Sequence, residues 1–375
     1  MGEILTTHVG SLPRGKELAP LLLARDHGES YDAAALERLV AAAVEDAVAK
    51  QEAAGVSIVS DGELGKVGYS TYIKERLSGF GGNVTRKPAL DLAPLPELRK
   101  KLALIMGDQE FVRASCTGPV RLVDPEPCHA DIRRFSRTLI GRRVRGFMNA
   151  ASPGLITAFQ PNVYYPSHAA YLADLVSAMR PEYSAIIASG LDLQLDCPDL
   201  AMARHTGYQD LSEDEFLGIA AANVEALNAA TEGLPPEKLR MHVCWGNYEG
   251  PHDFDIPLER ILGIILRARP ATILFEAANP RHEHEWKVWA EARIPADKVL
   301  APGLIDTCSN YVEHPELIAQ RIERFAGIVG VERVIASTDC GFGTFAGYGK
   351  IDPEVTWKKL RALRAGADLA AARIH

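Results

Sequence analysis

Four side chains in this 375-residue sequence have the types and the spacing to hold a metal ion: His242, Cys244, Glu276 and Cys340. In the run Met241-His242-Val243-Cys244-Trp245 the imidazole and the thiol stand two residues apart, and in an extended strand such residues project from the same face. Glu276 ends the apolar run Ala271 to Phe275, and Cys340 follows the run Arg333 to Ser337. One imidazole, two thiolates and one carboxylate suit Zn²⁺, which takes N, S and O ligands tetrahedrally at about 2.0–2.3 Å. His-x-Cys alone is compatible with a chance pair of small buried hydrophobes, the usual state of free cysteines. Glu276 and Cys340 at matching strand ends tip the reading to a metal centre.

Such a centre needs a scaffold that brings distant strand ends together. Short β-rich runs recur at Thr7–Gly10, Ser57–Ser60, Phe111–Ser115, Leu191–Leu195, Arg240–Val243, Ala271–Phe275, Val299–Gly303 and Arg333–Ser337. Between them lie stretches such as 32–54, 213–230 and 315–327, where apolar residues return every three or four positions. Asp32, and Ser212 with Glu215 three residues on, mark helix starts. This alternation predicts an α/β fold, a (β/α)8 TIM barrel with insertions after strands 2 and 3, at 78–107 and 121–190. No linker or low-complexity tract interrupts it, so residues 1–375 read as a single domain. Barrel active sites lie at the C-terminal strand ends. There the sequence places His8 and Ser11, Asp61-Gly62-Glu63, Cys116-Thr117-Gly118-Pro119, Asp196-Cys197-Pro198, His242 and Cys244, Glu276, Asp306 and Cys308, and Asp339-Cys340-Gly341.

In this order the motifs resemble the catalytic domain of the cobalamin-independent methionine synthase family and its short single-barrel relatives. Thr6-Thr7-His8-Val9-Gly10-Ser11-Leu12-Pro13-Arg14 is similar to the family's opening strand, Asp61-Gly62-Glu63 to its second-strand acid motif and Thr117-Gly118-Pro119-Val120 to its third-strand turn. Asp196 stands at the first acid of an Asp-Glu-Pro motif, and His242-x-Cys244, Glu276 and Asp339-Cys340-Gly341 match the zinc ligands, the likeness running from about residue 5 to about 365. The resemblance implies alkylation of a zinc-bound thiolate. A free thiol with a pKa of about 8.5 is mostly protonated at neutral pH, and coordination deprotonates it. It further implies that Ser11, Glu63 and Asp196 hold the amino-acid part of homocysteine, with His8 beside them on the opening strand. Two carboxylates facing one pocket prefer an ammonium group. The plainer alternatives are that Asp196 caps its loop and that Glu63 pairs with Lys66 or Lys74.

The sequence also departs from the family. After the seventh strand, where the synthase carries an acid followed by a proton-donating histidine, this chain reads Asp306-Thr307-Cys308, which makes Asp306 and Cys308 the candidate catalytic pair. The turn after Pro119 leads to Arg121 rather than to a tryptophan that would stack on a pterin. Both departures predict an alkyl donor more activated than methyltetrahydrofolate. A second enzyme reading, an epoxide:coenzyme M transferase, needs cations such as Arg14 or Lys66 for a sulfonate; a third is a non-catalytic barrel with structural zinc. Trp245, Asn247, Tyr248 and His252 could shape the electrophile's pocket, and His205 and the 282–285 cluster read as surface groups or supports behind the site.

Composition narrows the class. With 49 acidic against 41 basic residues and a net charge of −8, a nucleic-acid partner is not expected. No long apolar run suggests a membrane partner, and the opening residues lack a signal-peptide pattern, so the expectation is a cytoplasmic enzyme with small-molecule partners, a thiol and an alkyl donor. Six dispersed cysteines are expected as thiols or ligands rather than as a disulfide framework.

Overall fold

A computed structural model of the chain describes residues 3–106 and 113–374. The strands are β1 (Ile58–Ser60), β2 (Phe80–Gly81), β3 (Ser115–Cys116), β4 (Arg145–Ala151), β5 (Asp192–Asp196), β6 (Leu239–Val243), β7 (Thr272–Phe275), β8 (Val299–Ile305) and β9 (Ser337–Thr338). The helices are α1 (Leu18–His27), α2 (Ala33–Ala53), α3 (Pro96–Met106), α4 (Glu126–Thr138), α5 (Pro153–Phe159), α6 (His168–Ala188), α7 (Glu213–Ala230), α8 (Leu258–Ile265), α9 (Trp286–Glu291), α10 (Pro315–Val329) and α11 (Pro353–Ile374). Among these helices none is long and apolar enough to cross a membrane.

Seven strands pair in parallel in the order β1-β4-β5-β6-β7-β8-β9. Strands such as β6 and β7 are buried along their whole length, as expected of parallel strands covered on both faces. The N-terminal segment links the two ends of the curled sheet. Thr6 bridges Ala336 in parallel, and the Thr6 carbonyl accepts from the amides of Ser57 and Ile58. The result is a barrel-like α/β fold with its strand ends gathered at one mouth.

Local signals set the helix boundaries. Asp32 accepts from the Ala35 amide to open α2, and Ser212 with Glu215 forms a reciprocal capping box for α7. The third barrel strand needs correction. Phe111 and Val112 lie outside the described residues, and Ser115–Cys116 pairs antiparallel with Phe80–Gly81 in a separate ribbon. The sheet's third strand is instead β4, whose Arg-Gly-Phe-Met-Asn-Ala-Ala sequence has no β-branched residue. The expected insertions after strands 2 and 3 therefore become one excursion between β1 and β4, and residues 153–188 are the helices α5 and α6 that cross from β4 to β5.

The mouth is tightly packed where the N-terminal segment meets β4. Gly10 has φ +140°, and a Cβ there would lie 2.2 Å from Asn149 Oδ1. Asn149 cannot move freely, because its Nδ2 donates to the Val9 carbonyl at 2.9 Å. Gly10→Ala should therefore lower the unfolding free energy by about 1–3 kcal/mol through overpacking and backbone strain. Urea denaturation checks this, and an unchanged midpoint would contradict the close approach.

Candidate metal centre

The parallel register puts Asp196 level with His242 and Val243 level with Phe275, so three adjacent strands deliver their last residues to one place. Beyond them, donor atoms of His242, Cys244 and Cys340 all lie within 4.8 Å of one another and are buried. Cys244 Sγ and Cys340 Sγ are 3.7 Å apart. That is far longer than a disulfide's S–S bond of about 2.05 Å. Two sulfurs each about 2.3 Å from a tetrahedral ion stand about 3.8 Å apart, so the pair fits zinc. Cys340 is held well below the usual thiol range, first by a hydrogen bond from Cys244, then, against burial, by His242. Burial alone would lower His242, but Asp196 and Cys340 outweigh it and raise the imidazole to about 10. His242 Nδ1 stands 3.6 Å from Asp196 Oδ1, the carboxylate–imidazole arrangement that orients metal-binding histidines.

Glu276 is beside this trio rather than within it. Its Oε1 accepts from the Trp245 amide at 2.7 Å and its Oε2 from Asn279 Nδ2 at 2.8 Å. The loop that carries it is fixed by Asp339, whose carboxylate accepts from the amides of Ala277, Ala278 and Asn279 at 2.8, 2.9 and 2.9 Å and from Asn279 Nδ2 at 3.1 Å. Gly303 leaves room for that carboxylate, since a Cβ there would come within 2.1 Å of Asp339 Oδ1. The clamp role of Asp339 has no local signature beyond its place before Cys340.

The trio forms part of the floor of a cavity of about 700 Å³, which Ser11, Glu63 and Asp196 also line. Glu63 is a non-glycine residue at φ +53°, buried, with Oε2 lacking a hydrogen-bond partner. Burial raises its carboxyl to about 7, with Lys66 opposing and Asp196 adding to the rise. Strained backbone and an unpartnered buried carboxylate are both costly, and both are features of ligand sites. Asp196 accepts from Asn149 Nδ2 at 3.1 Å and from Gln194 Nε2 at 3.3 Å. Asn149 lies on β4, the strand without a sequence signal. Tyr69, Phe159 and Phe345 wall the cavity, the Tyr69 ring centroid lying 5.5 Å from each of the other two.

Other expected site residues lie elsewhere. His8 does not line the cavity: its Nε2 meets Gln51 Oε1 at 2.7 Å, its Nδ1 accepts from the Gly10 amide, and burial lowers it to about 4. It is a neutral packing histidine. Asp306 accepts from the Cys308 amide, and Cys308 faces Asn247 and Lys350, with burial pushing its thiol up to about 12 against Lys350. Neither residue lines the cavity. Gly118 and Pro119 pack on Gly79 in the ribbon region. Asn247 and Tyr248 do line the cavity, whereas Trp245 and His252 do not. His205 and His282 are buried, not on the surface, and with His252 they surround the Asp255 carboxylate at 3.0–3.2 Å.

Comparisons with known proteins agree with this architecture. The family described as "Cobalamin-independent synthase, Catalytic domain" matches residues 4–353. The methionine synthase of Thermococcus kodakarensis is 24% identical over 379 residues, covering 97% of this chain and 92% of that protein. That of Sulfolobus acidocaldarius is 23% identical over 341 residues, covering 90% and 85%. A solved B12-independent methionine synthase from Shewanella sp. W3-18-1, in complex with selenomethionine, has a TM-score of 0.73 at 19% identity, covers 100% of this chain and 99% of its own, and shares the fold. The chain belongs to the cobalamin-independent synthase catalytic-domain family.

Proposed function

We propose that this chain is a zinc-dependent transferase that moves a methyl group from an activated donor to the sulfur of homocysteine. The observation that carries the reading is the floor of the cavity, where a His-Cys-Cys donor set lies beside a buried carboxylate that lacks a partner. Relatives named methionine synthase that cover most of the chain support the same reaction. His242, Cys244 and Cys340 would hold the metal, with Glu276 as the carboxylate held alongside. When bound, zinc supplies a lowered thiol pKa and keeps the acceptor sulfur nucleophilic. Glu63 and Asp196 receive the substrate ammonium, and the register of β5 and β6 sets Asp196 level with His242. The aromatic wall excludes water from the reacting carbon.

Two observations weigh against the other readings. Arg14 directs its guanidinium to the carbonyls of Glu63, Lys66 and Gly343, and Lys66 Nζ donates to the Asn149 carbonyl at 2.7 Å. Neither cation is available to a coenzyme M sulfonate at the floor. Three donors lining a cavity also differ from the enclosed geometry of a structural zinc site. Cys308, raised to about 12 and turned to Asn247, is no acid for a poor leaving group, which supports an activated donor.

The purified chain should carry about one Zn²⁺, as structural and catalytic sites of this ligand type do. Cys244→Ser and Cys340→Ser should lose it while circular dichroism stays unchanged, and elemental analysis that finds wild-type zinc in both variants would refute the assignment. L-Methionine, which has the ammonium but no ionisable thiol, isolates Glu63. Below about pH 7 the Glu63 carboxyl is protonated and above it ionised, so affinity should rise between about pH 6 and 8. Glu63→Gln should flatten that profile and weaken binding at pH 8 by about 10- to 100-fold, the loss of a charge-assisted contact. Calorimetry that gives parallel pH profiles for both proteins would remove Glu63 from the site. With one thiol acceptor, kcat/KM for a methylsulfonium or methylcorrinoid donor should exceed that for methyltetrahydrofolate; a folate rate equal to the best of these would mean that another residue supplies the proton.

A further inference from the structure

One segment of the excursion between β1 and β4 covers the cavity. Pro88, Ala89 and Leu92 line it, and α3 adds Pro96, Leu102 and Ala103. The near end of this cover is tied to the barrel: Gln209 Nε2 donates to the Pro88 carbonyl at 3.3 Å, and the Leu90 amide donates to the His205 carbonyl at 3.0 Å. From Leu92 to Met106 the hydrogen bonds among the described residues stay within the segment, as from the Leu95 amide to the Leu92 carbonyl and from Lys100 to Glu97. Asp91 is therefore the last hydrogen-bonded tie to the barrel before α3.

That tie runs to the loop after Cys244. Asp91 is buried, and its Oδ2 accepts from the Tyr248 hydroxyl at 2.6 Å and from the His252 amide at 3.0 Å. A hydroxyl–carboxylate bond of this length is of the charge-assisted kind. Burial, then the bond to Asp91, hold the Tyr248 phenol well above its usual range, so the hydroxyl keeps its proton and donates. The loop makes costly concessions to bring the ring there. A Cβ on Gly246 would lie 2.7 Å from Tyr248 Cε1 and one on Gly250 would lie 2.2 Å from Cε2, so neither position admits a side chain. His252 takes φ +56°, uncommon for a residue with a Cβ, and its ring centroid lies 4.2 Å from that of Tyr248. Backbone strain of this kind persists only where the surroundings over-determine it. Next to Tyr248, Asn247 Nδ2 donates to the Gly341 carbonyl at 2.7 Å and to the Thr344 hydroxyl at 2.8 Å, so the loop is also braced to the one that follows Cys340.

We propose that Asp91 and Tyr248 are positioning residues that latch the cover of the cavity to the loop after Cys244, so that the outer wall keeps a fixed spacing from the metal-binding floor while a methyl donor is aligned with the acceptor sulfur. Tyr248 lines the cavity and Asp91 does not, so Asp91 acts only through the groups it holds. Without its carboxylate the cover remains attached at Pro88 and Leu90 and is free to shift beyond them. A displacement of about 1 Å at a reacting atom can cost about 10²-fold in rate. The role in alignment rests on the methyl-transfer reading of the cavity; the latch itself does not.

The test compares the zinc-loaded full chain with Asp91→Ala, Tyr248→Phe and Asp91→Asn by hydrogen exchange read by mass spectrometry, without ligand. Exchange in 92–106 should be about tenfold faster or more in Asp91→Ala and Tyr248→Phe, while β5 to β8 keep wild-type protection. Combining those two substitutions should add little to either, because each removes the same bond. Asp91→Asn keeps an acceptor for the tyrosine hydroxyl and should retain most of the protection. With homocysteine as acceptor and the better of a methylsulfonium and a methylcorrinoid donor, kcat/KM for the donor should fall about tenfold or more in Asp91→Ala, with zinc content and L-methionine affinity unaltered. Wild-type exchange of 92–106 in both single variants would remove the latch, as would a loosening spread evenly through the barrel, the mark of a merely structural role. A local rise in exchange with an unchanged donor kcat/KM would remove the positioning role. If no donor reacts with the wild-type chain, the methyl-transfer reading fails and the alignment role with it, and the exchange comparison still decides the latch.

Discussion

Asp339 is a buried carboxylate that accepts four hydrogen bonds from one loop, and the candidate site depends on that clamp. It sits one residue before Cys340, while the loop it grips begins one residue after Glu276. The clamp therefore ties the carboxylate of the β7 loop to the thiol that follows β9 without using either as a support. Burial, then Glu276 and Asp306, push the Asp339 carboxyl up to about 8, and the amides of Ala277 and Ala278 oppose that rise. Gly303 completes the arrangement by leaving space where any side chain would collide. The loop after Glu276 is thus tied to the residue before Cys340 mainly through backbone amides, which move less than side chains.

The second constraint is electrostatic. His242 has an acidic partner on each side, Asp196 at 3.6 Å and Cys340, and together, against burial, they raise its imidazole to about 10. Glu63 is not paired in this way, because Lys66 is directed to the Asn149 carbonyl and Arg14 to three carbonyls. Directing those cations elsewhere leaves the Glu63 end of the cavity negative, the sign that suits the substrate ammonium of the reading proposed above.

How much of this could be read from the sequence follows from burial and pleat. Strands β6 and β7 are buried throughout and apolar enough to be seen, and the residues read at their ends, His242, Cys244 and Glu276, lie close together in the structure. β4 was invisible because its strand state comes from pairing with β1 and β5 rather than from its own residues. Missing it hid Asn149, which supports Asp196, and misassigned the β3 ribbon to the barrel. The placement of His8 away from the cavity is a matter of parity. Side chains alternate along an extended segment, so Val9 and Ser11 line the cavity while His8 turns to Gln51 on α2.

Cys308 shows what the departure from the family means physically. It is locked with Asn247 and Lys350, and Lys350 also donates to the Asn247 carbonyl at 2.6 Å. This small network braces the β6 loop that follows Cys244 and holds Asn247 against the carbonyl of Gly341 at 2.7 Å. The position where the resemblance implies a proton donor serves here to brace the loops that carry Cys244 and Cys340. On the reading proposed above, positioning stands in for acid assistance: binding energy gained at remote groups is available to align the methyl carbon with the nucleophile. On the same reading rate comes from orientation and from the reactivity of the donor, so specificity is set by the shape and lining of the cavity rather than by the His242, Cys244 and Cys340 donor set.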